Sequence, residues 1–373
     1  MIFQTNKGEI YGYKTRRFQA TEPMVQAFSR IPNFLDEDGY TGPIECGGID
    51  KSTSLSIKKA FSESVERRAV TIGAKVVSKH DPLHEQLQHL SFGIEDCEEY
   101  SCGFDVINQK PVLIPKAVTT LRTTKPYIVD TTGTAVHSNT EKAHLYAIKE
   151  LLEKNALFSF WYGLKGRRIN RGVSFELTSK LEKMGYELSY YVVDIFAPLL
   201  VVILIGYNPH HYTQLKYVFG VGSGINLEEA IIKATTEAYM LRLYYNVLYF
   251  RGEHHSNAVS YDNEVIQEPI GEDVETHIER FRNLPTYKGT GICETGETVR
   301  RIIDGLPEWV TQLYITVLPQ TLKKELIVVK AFSPDLVNHI PKKSFVESNT
   351  PIVSKYLRLS ETKLNGLPEC PII

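Results

Sequence analysis

The sequence lacks the long apolar segments that insertion into a membrane requires. Its most hydrophobic stretch, Ile195 to Gly206, extends for only about a dozen residues and contains Pro198, so it is too short to span a bilayer. The first nine residues contain no apolar core of signal-peptide length. We therefore expect a cytoplasmic protein that does not enter the membrane.

The chain also lacks an excess of charge of either sign. Its 42 basic and 44 acidic residues give 373 residues a formal net charge of −2. Lys and Arg are scattered along the chain, which argues against a basic surface of the size that binds nucleic acid. The composition is that of a globular protein with one large domain or two moderate ones.

Cysteine is scarce, and no two cysteines form a CxxC pair. The five are Cys46, Cys97, Cys102, Cys293 and Cys370. Cys97 and Cys102 have no companion Cys or His pair at the spacing of a structural zinc site. Free thiols in a reducing compartment are therefore the favoured interpretation.

The periodicity of apolar residues predicts a protein that mixes helices and strands along the chain. Ser138 and Glu141 fit a capping box at the start of the second of three long helices. Residues 1–45 are expected to be irregular because prolines interrupt them. The predicted helices cover residues 54–70, 138–162 and 226–249. The predicted strands cover residues 105–114, 187–195, 199–207, 312–318 and 325–332.

Each of the three helices carries a glutamate seven residues after a small residue. Seven residues are about two helical turns, so the small residue and the glutamate share one face of the helix. This repeat predicts helices whose small-residue end packs closely and whose other end presents a carboxylate. The pairs are Ser56 and Glu63, Ala143 and Glu150, and Ala230 and Glu237.

Two of these helices carry a second glutamate three residues later, Glu66 after Glu63 and Glu153 after Glu150. Neighbouring carboxylates repel each other unless a cation compensates them. Taken alone, such a pair is more often a solvated helix face with local ion pairs. Its recurrence in helices of matching layout favours a site for a hard cation such as Mg²⁺. Phosphate oxygens commonly complete the coordination shell of this ion.

Basic residues accompany the glutamates. Arg67 follows the first pair, Lys154 follows the second, and the third helix carries Lys233 and Arg242. Guanidinium and ammonium groups beside metal ligands are suited to pairing with phosphate. The pattern therefore indicates a site for a nucleotide and its Mg²⁺ ions, although spacing alone leaves the function open.

Three passages resemble the YcaO family of ATP-dependent enzymes that modify peptide backbones. They are Lys59 to Arg67, Glu141 to Tyr162, and Gly220 to Arg242. The resemblance covers residues 46 to 340 in the family's order, and the chain is most similar to the stand-alone D component of microcin-type azole synthases. It implies an α+β, YcaO-like fold with mixed and antiparallel sheets and three glutamate-bearing helices around an ATP site. It also implies an N-terminal segment (1–45), a catalytic domain (46–345) and a tail (346–373) that reaches the active site.

The resemblance further implies that ATP and Mg²⁺ are the cofactors and assigns roles to individual residues. The implied metal ligands are Glu63, Glu66, Glu150, Glu153 and Glu237. The implied ATP contacts are Lys51, Lys59, Arg67, Ser138, Lys154, Lys233 and Arg242. The implied catalytic residues are Arg67 and, in the tail, Pro371 and Ile373.

In azoline-forming members, a Cys, Ser or Thr side chain of a ribosomally made precursor peptide attacks the preceding backbone carbonyl. ATP phosphorylates the resulting oxyanion, and loss of phosphate leaves a thiazoline or an oxazoline. The implied partners are the precursor peptide and an E1-like protein that binds its leader. A flavin-dependent dehydrogenase is a further candidate partner, and a homodimer or hetero-oligomer is expected.

The chain departs from the family pattern at several positions. Lys154 and Lys233 stand where Arg is frequent, and Met240 stands where Gln is common. An ammonium keeps the charge of a guanidinium but cannot make its bidentate contact with phosphate. Two alternatives therefore stay open, namely the same ATP chemistry that yields a thioamide or amidine, and a scaffold subunit without catalytic activity.

Overall fold

The computed structural model describes most of the chain and divides it into two compact units. The first unit comprises Met1–Leu151 and Thr311–His339, and the second comprises Leu152–Val310 and Ile340–Ile373. Among the described residues, no helix is both long enough and apolar enough to cross a membrane. The described residues are 2–4, 10–16, 24–30, 45–94, 97–121, 129–170, 175–209, 215–251, 272–289, 296, 298–319 and 325–372.

Three long helices, α1, α3 and α5, carry the glutamates that the sequence analysis singled out, and shorter helices lie between and after them. The helices are α1 (Thr53–Ile72), α2 (Leu83–Gln86), α3 (Thr140–Gly163), α4 (Glu176–Lys183), α5 (Leu227–Arg251), α6 (Glu272–Phe281), α7 (Val299–Asp304) and α8 (Glu361–Asn365).

The strands form three sheets in which neighbouring strands pair antiparallel. In the first unit the strand orders are β1-β2-β3-β4 and β6-β5-β12-β13-β7, and in the second unit the order is β11-β10-β9-β8. The strands are β1 (Ile2–Gln4), β2 (Ile10–Arg16), β3 (Val25–Arg30), β4 (Glu45–Asp50), β5 (Tyr100–Asp105), β6 (Lys110–Pro115), β7 (Thr134–His137), β8 (Arg167–Arg168), β9 (Glu187–Phe196), β10 (Leu199–Tyr207), β11 (Tyr217–Gly224), β12 (Tyr314–Leu318) and β13 (Ile327–Phe332).

In the first unit, α1 packs against β3 and β4. The second half of α1 turns Val65, Ala69 and Val70 into a core that also contains Leu318 of β12 and Val328 of β13. All five side chains are excluded from water. Burial of this apolar surface stabilises the unit and fixes which face of α1 remains available to solvent.

In the second unit, α5 packs against β10 and β11, and β10 is buried along almost its whole length. An aromatic core lies beside this sheet, where Phe281 of α6 contacts Phe160 and Trp161 of α3 and Tyr191 of β9. These large side chains position the last turns of α3 because they leave little room for rearrangement.

The N-terminal segment differs from the expectation for residues 1–45. β1, β2 and β3 lie within it and pair in register with one another and with β4. The expectation of an irregular segment was wrong, since none of the described strands β1 to β4 includes the prolines at sequence positions 23, 32 and 43. Proline interrupts a strand ladder without excluding strands on either side of it.

The strand predicted at 105–114 is in fact a hairpin. β5 ends at Asp105, whose carboxylate accepts hydrogen bonds from the N–H groups of Ile107 and Asn108, and β6 begins at Lys110. Pro111 lies on β6, which is an edge strand, as its missing N–H group predicts. The turn was missed because Asp105 and Asn108 can support a turn as readily as a strand end.

The start of α3 also differs by one residue. Asn139, and not Ser138, caps the helix, because its Oδ1 accepts a hydrogen bond of 2.9 Å from the N–H of Lys142. Asparagine is among the preferred residues at this position, so either residue was chemically acceptable. Ser138 lies exposed immediately before the cap.

Candidate functional site

In the first unit, Glu63 is held against β4. Its Oε2 accepts a hydrogen bond of 2.6 Å from the N–H of Gly47, and its Oε1 lies 2.8 Å from Nη2 of Arg67. α1 can approach the strand this closely because Gly48 has no side chain. A Cβ atom on Gly48 would lie 2.5 Å from the backbone nitrogen of Ala60.

The second unit contains the same arrangement. Oε2 of Glu237 accepts a hydrogen bond from the N–H of Val221 on β11. A Cβ atom on Gly222 would lie 2.5 Å from the backbone nitrogen of Ala234. The prediction that the small-residue ends of these helices pack closely is confirmed, since Ser56 and Ala230 are fully buried and their carbonyl groups face the glycines.

A group of three carboxylates in the first unit consists of Glu63, Glu66 and Glu150. The pKa of Glu66 is raised well above its ordinary range, first by burial and then by the negative charges of Glu150 and Glu63. Arg67 and Lys330 act in the opposite direction without cancelling the effect. Carboxylates in this relation have a strong preference for a shared cation.

Lys330 is a member of this group that the sequence analysis did not identify. It lies fully buried on β13, and its Nζ donates hydrogen bonds to the carbonyl groups of Asp130 (2.9 Å) and Thr132 (2.8 Å). Burial lowers the pKa of Lys330, whereas Asp130, Glu150 and Glu66 raise it. Its position as a single lysine within the apolar run from Ile327 to Phe332 could have indicated a buried, paired lysine, because charged residues are rarely buried without a partner.

In the second unit, Glu237 has Glu153 and Lys154 of α3 as electrostatic neighbours. The pKa of Glu237 is raised to about 7, first by burial and then by the charge of Glu153. The Lys154 ammonium and the N–H of Val221 counteract this rise. Glu237 is thus poised to change its protonation state near neutral pH, and a bound cation would favour its ionised form.

Arg242 lies on α5, five residues after Glu237. Its side chain is 7% exposed, and among the described residues neither its Nε nor its Nη1 has a hydrogen-bond partner. A buried guanidinium without partners is costly unless an anion occupies the space beside it. This environment fits a phosphate group, which a guanidinium binds through two parallel hydrogen bonds.

The two predicted ATP-contacting lysines of α1 and α5 donate to backbone carbonyl groups in equivalent positions. Nζ of Lys59 donates to Ile49 and pairs with Asp50, both at 2.9 Å. Nζ of Lys233 donates to Ser223 at 2.9 Å. Lys233 also pairs with Glu229 at 2.6 Å, while Lys51 and Ser138 lie exposed at element ends. Contact of these four residues with ATP stays a prediction.

Of the predicted tail residues, Pro371 is half-buried, and Ile373 lies outside the described residues. The preceding Cys370 is buried, and the charge of Lys154 acts on its thiol. Within the second unit, Nε1 of Trp161 donates a hydrogen bond to the carbonyl of Pro368, and Lys154 lies about two helical turns before Trp161 on the same face of α3.

The described residues contain no group of three or more His, Cys, Asp or Glu side chains that could hold a metal ion by themselves. Mg²⁺ commonly takes only one or two protein carboxylates and completes its octahedral shell with water and phosphate oxygens. Within the second unit, Glu237 has the ammonium of Lys154 as an electrostatic neighbour and shares α5 with Arg242, so this unit offers a carboxylate for the cation and basic groups for a phosphate. The residues present therefore fit Mg²⁺ together with a nucleotide phosphate.

The α+β fold and the two sets of glutamates, one in each unit, are suited to binding Mg²⁺ and a nucleotide. The chain belongs to the YcaO cyclodehydratase family, whose model, described as ATP- and Mg²⁺-binding, matches residues 57–337. It is an ATP-dependent enzyme of this family, and the predicted cofactors ATP and Mg²⁺ are confirmed. No curated protein matches the chain.

Solved structures confirm the predicted fold. YcaO from Methanopyrus kandleri bound with AMPPCP and Mg²⁺ has a TM-score of 0.66 and 15% identity over 90% of this chain and 88% of that one. The E. coli microcin synthetase McbBCD complex with pro-MccB17 bound has a TM-score of 0.71 and 15% identity, covering 98% and 96%. A heterocyclase in complex with substrate and cofactor has a TM-score of 0.68 and 15% identity, covering 95% and 54%. Identities this low establish the fold alone.

Proposed function

We propose that the chain activates backbone amides of a ribosomally made precursor peptide and converts Cys, Ser or Thr residues to thiazolines or oxazolines. The observation that carries the proposal lies in the second unit, where buried Glu237 has Lys154 as a neighbour and Arg242 follows on the same helix with no hydrogen-bond partner for Nε or Nη1 among the described residues. Carboxylates and basic side chains of this kind can bind the Mg²⁺ ion and the phosphate groups of ATP. The family membership and the resemblance to azole synthases supply the peptide amide as its target.

Bound ATP with Mg²⁺ supplies the phosphoryl group that makes the amide oxygen a leaving group. Glu63, Glu66 and Glu150 of the first unit and Glu153 and Glu237 of the second would hold the cations. Arg67 and Arg242 would neutralise charge that develops on the phosphate oxygens. Lys154, placed beside Glu237, would add positive charge at the same stage.

The side-chain sulfur or oxygen loses its proton as it bonds to the preceding carbonyl carbon. The resulting oxyanion accepts the γ-phosphoryl group of ATP, and ADP is the leaving group. The bond between that carbon and oxygen then breaks, phosphate departs with the former amide oxygen, and the nitrogen loses its proton to give the C=N bond. The peptide thereby loses the elements of one water molecule per ring.

The proposed partners are the precursor peptide and a separate protein that binds its leader. The support is indirect and comes from similar proteins, since one solved relative is a complex of several subunits with pro-MccB17 bound. A flavin-dependent dehydrogenase that oxidises the ring, and assembly into a homodimer or hetero-oligomer, belong to the same proposal.

The experiment supplies the chain with Mg-ATP, a leader-binding protein and a peptide whose backbone carbonyls carry a heavy oxygen isotope. We expect mass spectrometry to show loss of one water per ring and the heavy isotope to appear in the released phosphate. Glu66→Gln serves as the inactive control. Exchange of oxygen for sulfur in the peptide would establish the thioamide alternative and overturn azoline formation. Phosphate release without transfer of the isotope would overturn amide activation altogether.

A further inference from the structure

The hydroxyl group of Tyr162, at the end of α3, is the centre of a buried hydrogen-bond network. It lies 3.0 Å from the carbonyl oxygen of Pro341 and 3.3 Å from Oε1 of Glu369, and can donate to either. The N–H groups of Lys343 (3.2 Å) and Cys370 (3.1 Å) both donate to it. One hydroxyl proton and two lone pairs thus serve four neighbours, two of which belong to the last residues of the chain.

Lys343 and Trp161 extend this network along the C-terminal segment, which we define as residues 367–372. The N–H of Lys343 donates a hydrogen bond of 2.7 Å to Oε1 of Glu369, and its Nζ donates to the carbonyl of Leu367. The indole Nε1 of Trp161 donates a bond of 3.0 Å to the carbonyl of Pro368. The segment is therefore attached through side chains and not through a strand or helix of its own.

The attachment determines where the end of the segment lies. Cys370 and Ile372 are buried, and Sγ of Cys370 contacts the carbonyl of Ile372 at 3.6 Å. Burial raises the pKa of the Cys370 thiol, while the charge of Lys154 opposes this rise. Trp161, which donates to Pro368, lies seven residues after Lys154 on α3, about two helical turns, and so shares its face of the helix. The network thus holds the segment against the face of α3 that carries Lys154, a residue of the proposed Mg-ATP site.

We propose that Tyr162 is a positioning residue, whose hydroxyl group holds the C-terminal segment against the face of α3 that carries Lys154. The expected effect of this placement on phosphoryl transfer rests on the proposed function. The attachment itself can be tested without any activity measurement, because Cys370 becomes accessible when the segment detaches.

The test compares Tyr162→Phe with Tyr186→Phe in the full chain. Tyr186 is also buried in the second unit, and its hydroxyl donates to the carbonyl of Leu215 at 2.8 Å, far along the chain from the segment. Each substitution removes one buried hydroxyl. The Phe ring at 162 can keep the contact with Phe158, whose centroid lies 4.7 Å away.

Alkylation of Cys370 by iodoacetamide, followed by mass mapping, should be about tenfold faster in Tyr162→Phe than in wild type and unchanged in Tyr186→Phe. The exposed Cys102 is the internal reference. Glu369→Ala removes a partner from the other side of the network and should accelerate alkylation similarly. Equal alkylation rates in wild type, Tyr162→Phe and Glu369→Ala would overturn the attachment.

Phosphate release from Mg-ATP, measured for wild type and variant with the peptide and the leader-binding protein present, tests the positioning role. We expect kcat to fall about tenfold in Tyr162→Phe while KM for ATP stays within about twofold, because the ATP-contacting residues are unaltered. Faster alkylation with unchanged kcat would overturn the positioning role. Absence of phosphate release in the wild-type chain would instead overturn the proposed function, and the alkylation result would still decide the attachment.

Discussion

Gly222 and Ala234 approach each other so closely that a Cβ atom on the glycine would lie 2.5 Å from the alanine's backbone nitrogen. Gly48 has the same relation to Ala60 in the other unit. Backbone atoms of a packed helix cannot move aside without displacing the helix. Both glycines are therefore required for the distance at which Glu63 and Glu237 reach the strand N–H groups.

We expect Gly222→Ala and Gly48→Ala each to lower the free energy of unfolding by about 3 kcal/mol, because the added methyl group forces α5 or α1 away from its strand. Gly47→Ala is the matched control, since a Cβ atom there meets nothing within 4 Å. Its effect should stay within about 0.5 kcal/mol. Urea unfolding measures all three, and equal losses would contradict the close-packing explanation.

Glu66→Gln should abolish the heat of Mg-ATP binding in calorimetry, because an amide supplies no negative charge to a cation. Without Mg²⁺ the same substitution should raise the free energy of unfolding by about 1 kcal/mol, because it removes repulsion from Glu150 and Glu63. Loss of Mg-ATP binding together with a higher free energy of unfolding would support a role for Glu66 as a metal ligand. A variant that lost both binding and stability would indicate a structural role for Glu66.

The raised pKa of Glu237 predicts a pH-dependent contribution to stability in the presence of a chelator. Its folded-state pKa of about 7 exceeds the ordinary value of 4.5. Between these values the folded state holds a proton that the unfolded state has lost, so stability falls as pH rises through this window. Above pH 7, Glu237→Gln should be more stable than wild type by about 2 kcal/mol after allowance for solvent screening.

The Glu237→Gln difference should vanish at and below pH 4.5, where both states of the wild type are protonated. Gln can still accept the hydrogen bond from the N–H of Val221, so that contact is preserved. Urea titrations at several pH values measure the difference. A difference that did not vary with pH would show that Glu237 has the same pKa in the folded and unfolded states.

Arg242→Met should raise the free energy of unfolding by about 1–3 kcal/mol in the absence of nucleotide, because it removes a buried cation whose Nε and Nη1 have no partners within the described part of the chain. It should also weaken Mg-ATP binding by at least about tenfold. Arg300→Met is the control, since Arg300 is exposed and paired with Asp304. It should change neither quantity beyond about 0.5 kcal/mol. A destabilised Arg242→Met with normal binding would remove Arg242 from the phosphate site.

Helix positions and the spacing of carboxylates could be predicted from the sequence because both are local properties. α1 was expected at residues 54–70 and is observed at Thr53–Ile72. The strands expected at 187–195 and 199–207 are β9 and β10, and they meet at Pro198 as expected. Apolar periodicity within a short window contains this information.

The partners of these side chains could not be predicted. Helical periodicity shows that Glu63 and Glu66 share a face of α1. It does not show that the N–H of a strand residue binds Glu63, or that the charges of Lys330 and Glu150 shift the pKa of Glu66. Lys330 bonds to Asp130 across 200 positions of sequence. Such contacts depend on sheet topology, which a single sequence does not determine.

The duplicated strand–helix arrangement differs in one respect between its copies. Glu63 is followed after one helical turn by Arg67, which pairs with it, whereas the corresponding position after Glu237 is Leu241. The first copy therefore carries its own counter-charge within a single helix. The second depends on Lys154, a residue of another helix. Displacement of α3 would upset the charge balance at Glu237 and leave the pair of Glu63 and Arg67 intact.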